Sequence, residues 1–247
     1  MKILFSPSEA KYKDGHDVKF EEKSFIFPEL FKYREEMIKK YQSFINNASN
    51  DEVAKLIGTK KRDVVDYYSG DIFERNTKKV IQRYDGVAYD YLKYDELSDS
   101  EKKYIDENVI IFSNLFGPLL AGDTGLPDYK LKQGEKLDKI AVEIFYKEHF
   151  TKALDEYLED EDILDLRAGF YEKFYKVSKP YTTMKFIKDG KVVSHWAKAY
   201  RGIILNNISK NNIKSLKELM DLNIDNLVVS EIKKQKLKTE IVYNIKL

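Results

Sequence analysis

The chain has 247 residues, 43% hydrophobic and 34% charged, with 5 prolines, 18 tyrosines and 14 phenylalanines, the profile of a globular protein with ample core and not of a disordered one. It has no cysteine, and its three histidines (His16, His149 and His195) are far apart with no i, i+4 pair; disulfides, thiolate metal sites and a cysteine nucleophile are excluded, and no metal or cofactor is expected. Net charge is +1, yet residues 173–217 carry eleven basic side chains against Asp189 alone, so that segment holds +10 and the rest of the chain −9, an asymmetry that fits a polyanion-facing surface or a lysine-rich solvated face.

Lys2–Phe5 reads as a short buried strand running into a polar loop over 6–17. From Pro28, a good first-turn residue, apolar residues Leu30, Met37, Ile38, Tyr41, Phe44 and Ile45 recur at helical spacing. Ser49 with Glu52 forms a capping box for a short helix that Gly58 is placed to end. Thr59 can cap the next helix, with Gly70 to close it. The stretch 76–84 is predicted helical, Asp85-Gly86 breaks it, and 87–92 resumes the apolar pattern. Ser98 with Glu101 makes a second capping box before a helix ending near Asn108. Val109–Phe112 is a continuous β-branched apolar run, the mark of a central strand. A Gly/Pro-rich loop is expected over 114–127, then a long helix over 139–158 with Ile140, Ile144, Leu154 and Leu158 inward, then a strand over 163–166. Asp189-Gly190 between Phe186–Lys188 and Lys191–Val193 is a two-residue hairpin signal. A helix over 198–208 and a strand pair over 227–232 and 237–245 complete the chain. The order predicts an α/β (mixed α+β) fold, a single compact domain over 1–247 with a mixed sheet surrounded by helices. No apolar run approaches the roughly 20 residues of a membrane span, Met1–Phe5 meets Ser6-Pro7 before a signal-peptide core could form, and the expected compartment is the cytosol.

Four segments could carry chemistry. Ser6-Pro7-Ser8 follows the first strand, where α/β proteins present ligand loops, although it reads equally as a turn. Tyr84-Asp85-Gly86-Val87, between two short helices, could aim backbone N–H groups at a DNA phosphate in a helix-hairpin-helix manner. Ser113 to Tyr129, with Asp123 between, leaves a strand end. Finally, Lys198 and Arg201 are three residues apart on one helical face beside Trp196, the only tryptophan, a combination suited to phosphate binding with stacking; Trp196 also suits the core, and His195 suits a hydrogen-bonded structural role. Lys173, Lys176 and Lys179 extend the basic segment. No Ser–His–Asp order or close carboxylate pair stands out.

Ile3-Leu4-Phe5-Ser6-Pro7-Ser8, Tyr84-Asp85-Gly86-Val87-Ala88-Tyr89, Ser113-Asn114-Leu115-Phe116-Gly117, Leu126-Pro127-Asp128-Tyr129-Lys130-Leu131 and Ala197-Lys198-Ala199-Tyr200-Arg201-Gly202 together resemble the YaaA peroxide-stress proteins, in family order and spacing. The resemblance implies a compact α/β fold with a positively charged cleft and a helix-hairpin-helix-like element, cytosolic DNA binding, and protection against hydrogen peroxide linked to limiting free iron. It brings no established catalytic activity. Carried over by position, the matching residues are Ser6, Pro7, Asp85, Gly86, Tyr89, Ser113, Gly117, Asp123, Tyr129, Lys198, Arg201 and Gly202. The chain departs where members read Ala-Lys-Thr after Ser-Pro, having Ser8-Glu9-Ala10 with Lys11 displaced; Ala121-Gly122 stands for Arg-Pro, and Lys130 for Arg.

The expectation is therefore a monomeric, sequence-nonspecific binder of double-stranded or structured DNA, with no membrane partner. Nucleic acid would be met by Lys198, Arg201, Gly86, Lys173, Lys176 and Lys179, and a cleft formed by Ser6, Asp85, Ser113, Asp123 and Tyr129. The alternatives are an enzyme acting on a nucleotide or damaged base in the same cleft, and an iron-handling protein, which without cysteine would need carboxylate ligands.

Overall fold

The computed structural model describes residues 1–246, and every side chain among them except those of Ser194 and His195. The chain opens with strand β1 (Lys2–Phe5), fully buried after Lys2, and passes through a long polar loop to helix α1 (Phe31–Asn47), which Pro28 starts as a 3₁₀ turn. Helix α2 (Asn50–Ile57) has the expected capping box, Ser49 Oγ accepting the Glu52 N–H and Glu52 accepting the Ser49 N–H. Gly58 ends it at φ +71°, a left-handed conformation that suits glycine. Helix α3 (Arg62–Tyr68) follows; it stops at Ser69, before Gly70 is needed.

The stretch 76–84 is not one helix. Thr77–Lys78 forms strand β2, and only α4 (Val80–Arg83) is helical. The reason is Arg83, whose buried guanidinium donates to the carbonyls of Tyr12, Asp14, Asn76 and Leu126 and so ties this segment to two neighbouring loops. After the Asp85-Gly86 break come α5 (Val87–Leu92) and α6 (Asp99–Asn108), the latter capped by Ser98 and Glu101.

Strand β3 (Val109–Ser113) is buried at every position. The expected 114–127 loop instead turns tightly at Gly117 (φ +70°) into β4 (Gly117–Leu120), which returns antiparallel to β3 as the edge of the sheet. Pro118 is tolerated there because an edge strand does not need its N–H. Short strands β5 (Leu126–Pro127), β6 (Lys136–Leu137) and β7 (Ile140–Ala141) lead to helix α7 (Val142–Tyr157). Leu154 and Leu158 are buried as expected, but Ile144 is 43% exposed, and the rest of the inner face is Val142, Phe145, Tyr146 and Phe150. Strands β8 (Ile163–Asp165), β9 (Tyr181–Lys188) and β10 (Lys191–Val192) follow, the last two joined by Asp189 and Gly190, both at positive φ as a tight hairpin requires. Helix α8 (Ser194–Lys210) begins earlier than expected, α9 (Leu216–Asp221) escaped the sequence reading, and β11 (Leu227–Gln235) and β12 (Lys238–Ile245) close the chain.

Eight of these strands build one mixed sheet in the order β11-β12-β9-β8-β1-β3-β4, with β10 beside β9. Strand β1 is parallel to β3 on one side (Ile3 against Val109) and to β8 on the other (Lys2 against Ile163). The α/β class and the mixed sheet are as expected.

Candidate functional site

The order of the sheet selects one place. From β1 the chain crosses to β3; it then returns past β1 to β8 and moves outward to β9. Strands β1 and β8 are thus neighbours whose continuations leave in opposite directions, and a crevice opens beyond their carboxyl ends. In open α/β sheets this switch point is where ligands bind. Here it is a cleft of about 440 Å³ lined by the loop Ser6–Ala10 after β1, by Ala168 and Tyr171 after β8, by Gly86–Tyr89, by Gln133, and by Lys198 and Arg201.

Each wall is fixed by a specific contact. Ser6 Oγ accepts the Ala168 N–H at 2.7 Å, joining the two strand-end loops, and Tyr89 Oη donates to the Ser6 carbonyl at 2.9 Å. Gly86 sits at φ +135° with Ser8 Oγ 2.7 Å from where a Cβ would stand, so only glycine fits. Asp85 is half-buried beside it, with its N–H on the Ala10 carbonyl at 3.1 Å, and it does not line the cleft. Gly202 lets α8 lie directly on α5, and Asn206 Nδ2 donates to the Leu92 carbonyl at the end of α5 at 2.7 Å. Tyr200 stacks on Phe186 of β9 at 5.5 Å, and the half-buried Trp196 leans on Tyr200 at 6.3 Å, which makes the tryptophan part of the packing.

Two cations, Lys198 and Arg201, and one acid, Glu9 on the exposed rim, line the cleft. Asp165, at the end of β8, is the buried carboxylate whose charge acts on Arg201, but Arg167 holds it in a fork, Nε to Oδ1 at 2.9 Å and Nη2 to Oδ2 at 2.7 Å. Arg167 Nη1 also donates to the Tyr171 and Tyr175 carbonyls, which fixes the turn carrying Tyr171. Arg201 is left half-buried with no hydrogen-bond or ion-pair partner among the described residues. Burial lowers its pKa, and the charge of Asp165 opposes that. A half-desolvated guanidinium without a hydrogen-bond partner is costly unless an anion meets it. Lys198, exposed on the same face of α8, adds a second cation.

Of the residues singled out in the sequence, Ser6, Gly86, Lys198 and Arg201 come together. Ser113 and Tyr129 lie inside the protein, with Ser113 Oγ 2.5 Å from Tyr129 Oη and accepting the Phe116 N–H at 3.0 Å; they shape the β3–β4 turn. Asp123 is on the β4 side, where one oxygen, Oδ2, accepts the Ile26 and Leu120 N–H groups at 3.0 and 2.9 Å, while burial pushes its pKa up to about 6. Lys173 and Lys176 are exposed around the turn that carries Tyr171. Lys179 directs its ammonium at the carbonyls of Leu158, Glu159 and Glu161 at 2.8, 2.5 and 2.8 Å, closing the end of α7 and leaving no N–H for a phosphate. The side chain of His195 lies outside the described residues.

Sequence reading missed Asp165, Arg167, Tyr171 and Gln133, whose relation to the cleft depends on strand order. It also passed over Lys11 as a displaced motif residue. Lys11 Nζ is enclosed above the Tyr129 ring at 4.1 Å and near Tyr84 at 5.3 Å, with only long contacts of 3.4 Å to the Ser8 and Glu9 carbonyls. Burial lowers its pKa to about 7 despite the charge of Asp128, whose carboxylate is held by the Tyr67 and Tyr68 hydroxyls. Among the described residues no three histidine, aspartate or glutamate side chains gather as a metal site, and no helix is long and apolar enough to cross a membrane.

The model of the peroxide stress protein YaaA family matches residues 1–233. The chain belongs to the YaaA family. An uncharacterized protein of Campylobacter jejuni is 52% identical over 245 residues, 99% of both chains. UPF0246 proteins of Corynebacterium efficiens and Fusobacterium nucleatum are 32% and 28% identical, covering 82% and 91% of this chain and 82% and 92% of their own lengths. The cleft therefore sits within the region that YaaA proteins share.

Proposed function

We propose that this YaaA protein serves peroxide defence by binding DNA without sequence preference, limiting peroxide and iron damage to it, and that Arg201 and Lys198 hold backbone phosphate in the cleft between β1 and β8. The observation that carries this reading is Arg201, a half-buried guanidinium with no partner among the described residues, lining a cleft where the buried Asp165 is already held by Arg167 and Glu9 stands on the exposed rim. A guanidinium matches phosphate oxygens in a planar fork. Gly86 brings backbone close to the same space, and Lys173 and Lys176 stand exposed nearby to add longer-range attraction.

The test is a salt titration of binding to unrelated duplexes. Each neutralised phosphate contributes a log–log slope of about −0.9 on duplex DNA. Replacing Lys198 and Arg201 together with Gln should make the slope shallower by about 2, with similar loss on every sequence. An unchanged slope in a folded double variant would reject the cleft as the phosphate site.

The cleft volume supports a second reading, since about 440 Å³ lies in the range of small-molecule pockets, roughly 300–1,000 Å³. An enzyme acting on a nucleotide or damaged base there would turn over a lesion-bearing oligonucleotide, whereas a binding protein would retain it unchanged.

A further inference from the structure

The two edges of the sheet are unlike. Strand β4 is short, carries Pro118 and is buried over Gly117–Leu119, and short length with a proline is what keeps an edge from recruiting another strand. Strand β11 at the other edge runs from Leu227 to Gln235 with neither glycine nor proline, pairs only with β12 among the described residues, and is exposed from Val228 through Ile232.

The turn after β11 decides which of its backbone groups face outward. Gln235 and Lys238 close a two-residue hairpin, so Gln235, Lys233 and Glu231 direct N–H and C=O at β12, whereas Lys234 and Ile232 direct theirs away from the sheet. The Leu237 carbonyl accepts the Tyr181 N–H of β9 at 2.8 Å, which sets the same alternation along β12. A register shift between Val229 and Glu231 ends the regular stretch at Ser230. Ile232 lies opposite the buried Ile241 and Val229 opposite the buried Tyr243, so a core row of β12 continues into two exposed apolar side chains. On the other face Glu231 and Lys233 meet at 3.1 Å, an exposed pair that holds weakly.

This edge is complementary to itself. When β11 pairs antiparallel with β11 of a second copy about Ile232, the two Ile232 residues exchange both backbone hydrogen bonds and Ser230 meets Lys234. Glu231 then stands opposite Lys233 on both sides of the two-fold axis. These charge pairs fall at the non-hydrogen-bonded positions of the new ladder, where side chains approach most closely. Centring the axis on Lys234, the other residue with outward groups, would oppose Lys234 to Lys234, so charge selects Ile232. We propose that the protein forms a symmetric dimer through β11, its sheet continuing into that of the second copy, in place of the monomer expected from the sequence. The ladder covers only residues 230–234, a small interface, so the dimer forms reversibly with protein concentration.

The experiment is sedimentation velocity between about 1 μM and about 1 mM, the range of a small interface, on the wild-type chain, on Glu231→Lys, on Lys233→Glu, and on an equimolar mixture of the two variants. The mean mass of wild type should rise from that of the monomer toward twice that value. Each variant alone opposes like charges twice across the axis and should weaken dimerisation by about tenfold or more. In the mixture every cross-strand pair between unlike chains is again of opposite sign, so dimers should return. Neither variant can remake its own Glu231–Lys233 pair, so that rescue can come only from contact between copies. All four substituted or paired positions lie on an exposed edge, and thermal unfolding checks that each variant is folded. A wild-type chain that stays monomeric at about 1 mM overturns the proposal and leaves the edge to a foreign strand. Dimers that neither variant weakens, or weakened dimers that mixing does not restore, overturn it as well.

Discussion

Gly202 of α8 lies against the carbonyl of Ala88 in α5 so closely that a Cβ on Gly202 would overlap the Ala88 oxygen and stand 3.0 Å from the Leu92 nitrogen. Both obstacles are backbone and cannot rotate away. Gly202→Ala must therefore push the two helices apart, and overpacking of this kind costs about 1–3 kcal/mol. Since Lys198 and Arg201 ride on α8 and Gly86 begins α5, the shift also widens the cleft. The expected result is a lower melting temperature together with weaker nucleic-acid binding; a variant as stable as wild type would mean that α8 is not held by this contact.

Asp123 gives a prediction of the opposite sign. Its folded pKa is raised to about 6 by burial, against the ordinary 3.8, although the Ile26 and Leu120 amides and the charge of Arg34 work the other way. Between those values the folded chain binds a proton that the unfolded chain lacks, so this group makes stability fall as pH rises from about 4 through 6. Asp123→Asn keeps an oxygen that can accept both amides and removes the titration. The variant should equal wild type near pH 4 and exceed it by about 1–2 kcal/mol at pH 7, measured by urea unfolding at both values. Loss of stability at pH 7 would show that the ionised carboxylate is needed as a partner for Arg34.

These two residues show what was legible in the sequence. Capping boxes at Ser49 and Ser98, the Asp189-Gly190 hairpin and the β-branched run at Val109 act within a few residues, and the structure has them where local pattern put them. Ser6, Gly86, Lys198 and Arg201 were legible as a set because they match family blocks. What local pattern cannot carry is strand order. The pairing of β1 with β8 brings Ser6 to Ala168, 162 residues apart, and puts Tyr171 and the Asp165–Arg167 fork beside Arg201. For the same reason Asp123 and Tyr129, read as cleft residues from their place after a strand, are occupied elsewhere: β4 turns back on β3 and carries Asp123 to the far side, while Tyr129 bonds Ser113 in the interior.

Lys11 should make stability pH-dependent in the alkaline direction. Burial lowers its pKa to about 7 from an ordinary 10.5. Below pH 7 both states carry the proton; between about 7 and 10.5 only the unfolded chain binds it, so stability climbs with pH by at most about 1.4 kcal/mol per unit. Lys11→Met preserves length and packing over Tyr129 without the proton. Urea unfolding at pH 6, 7.5 and 9 should give a flatter profile for the variant than for wild type. Parallel profiles would show that the ammonium is solvated in the folded protein.

Lys179 separates a structural cation from solvent-facing ones within the basic segment, which bears on the proposed DNA binding. Its three contacts close the C-terminal end of α7, at the Leu158, Glu159 and Glu161 carbonyls, of which Leu158 also accepts the Glu161 N–H at 3.1 Å. Lys173 and Lys176 are exposed, and among the described residues Lys173 Nζ rests only over the Phe170 ring at 4.9 Å. Charge density along the sequence treats the three alike, but the contacts do not. Lys179→Met should cost about 1–3 kcal/mol, because carbonyls lose a charged donor, and should leave the salt slope of DNA binding as it is in wild type. Lys173→Gln/Lys176→Gln should do the reverse, keeping stability within about 0.5 kcal/mol and weakening binding at low salt. Thermal unfolding and salt-titrated binding on the same preparations decide it: if Lys179→Met makes the slope shallower by about 1, its ammonium leaves α7 to meet phosphate, and the assignment of Lys179 to the fold is wrong.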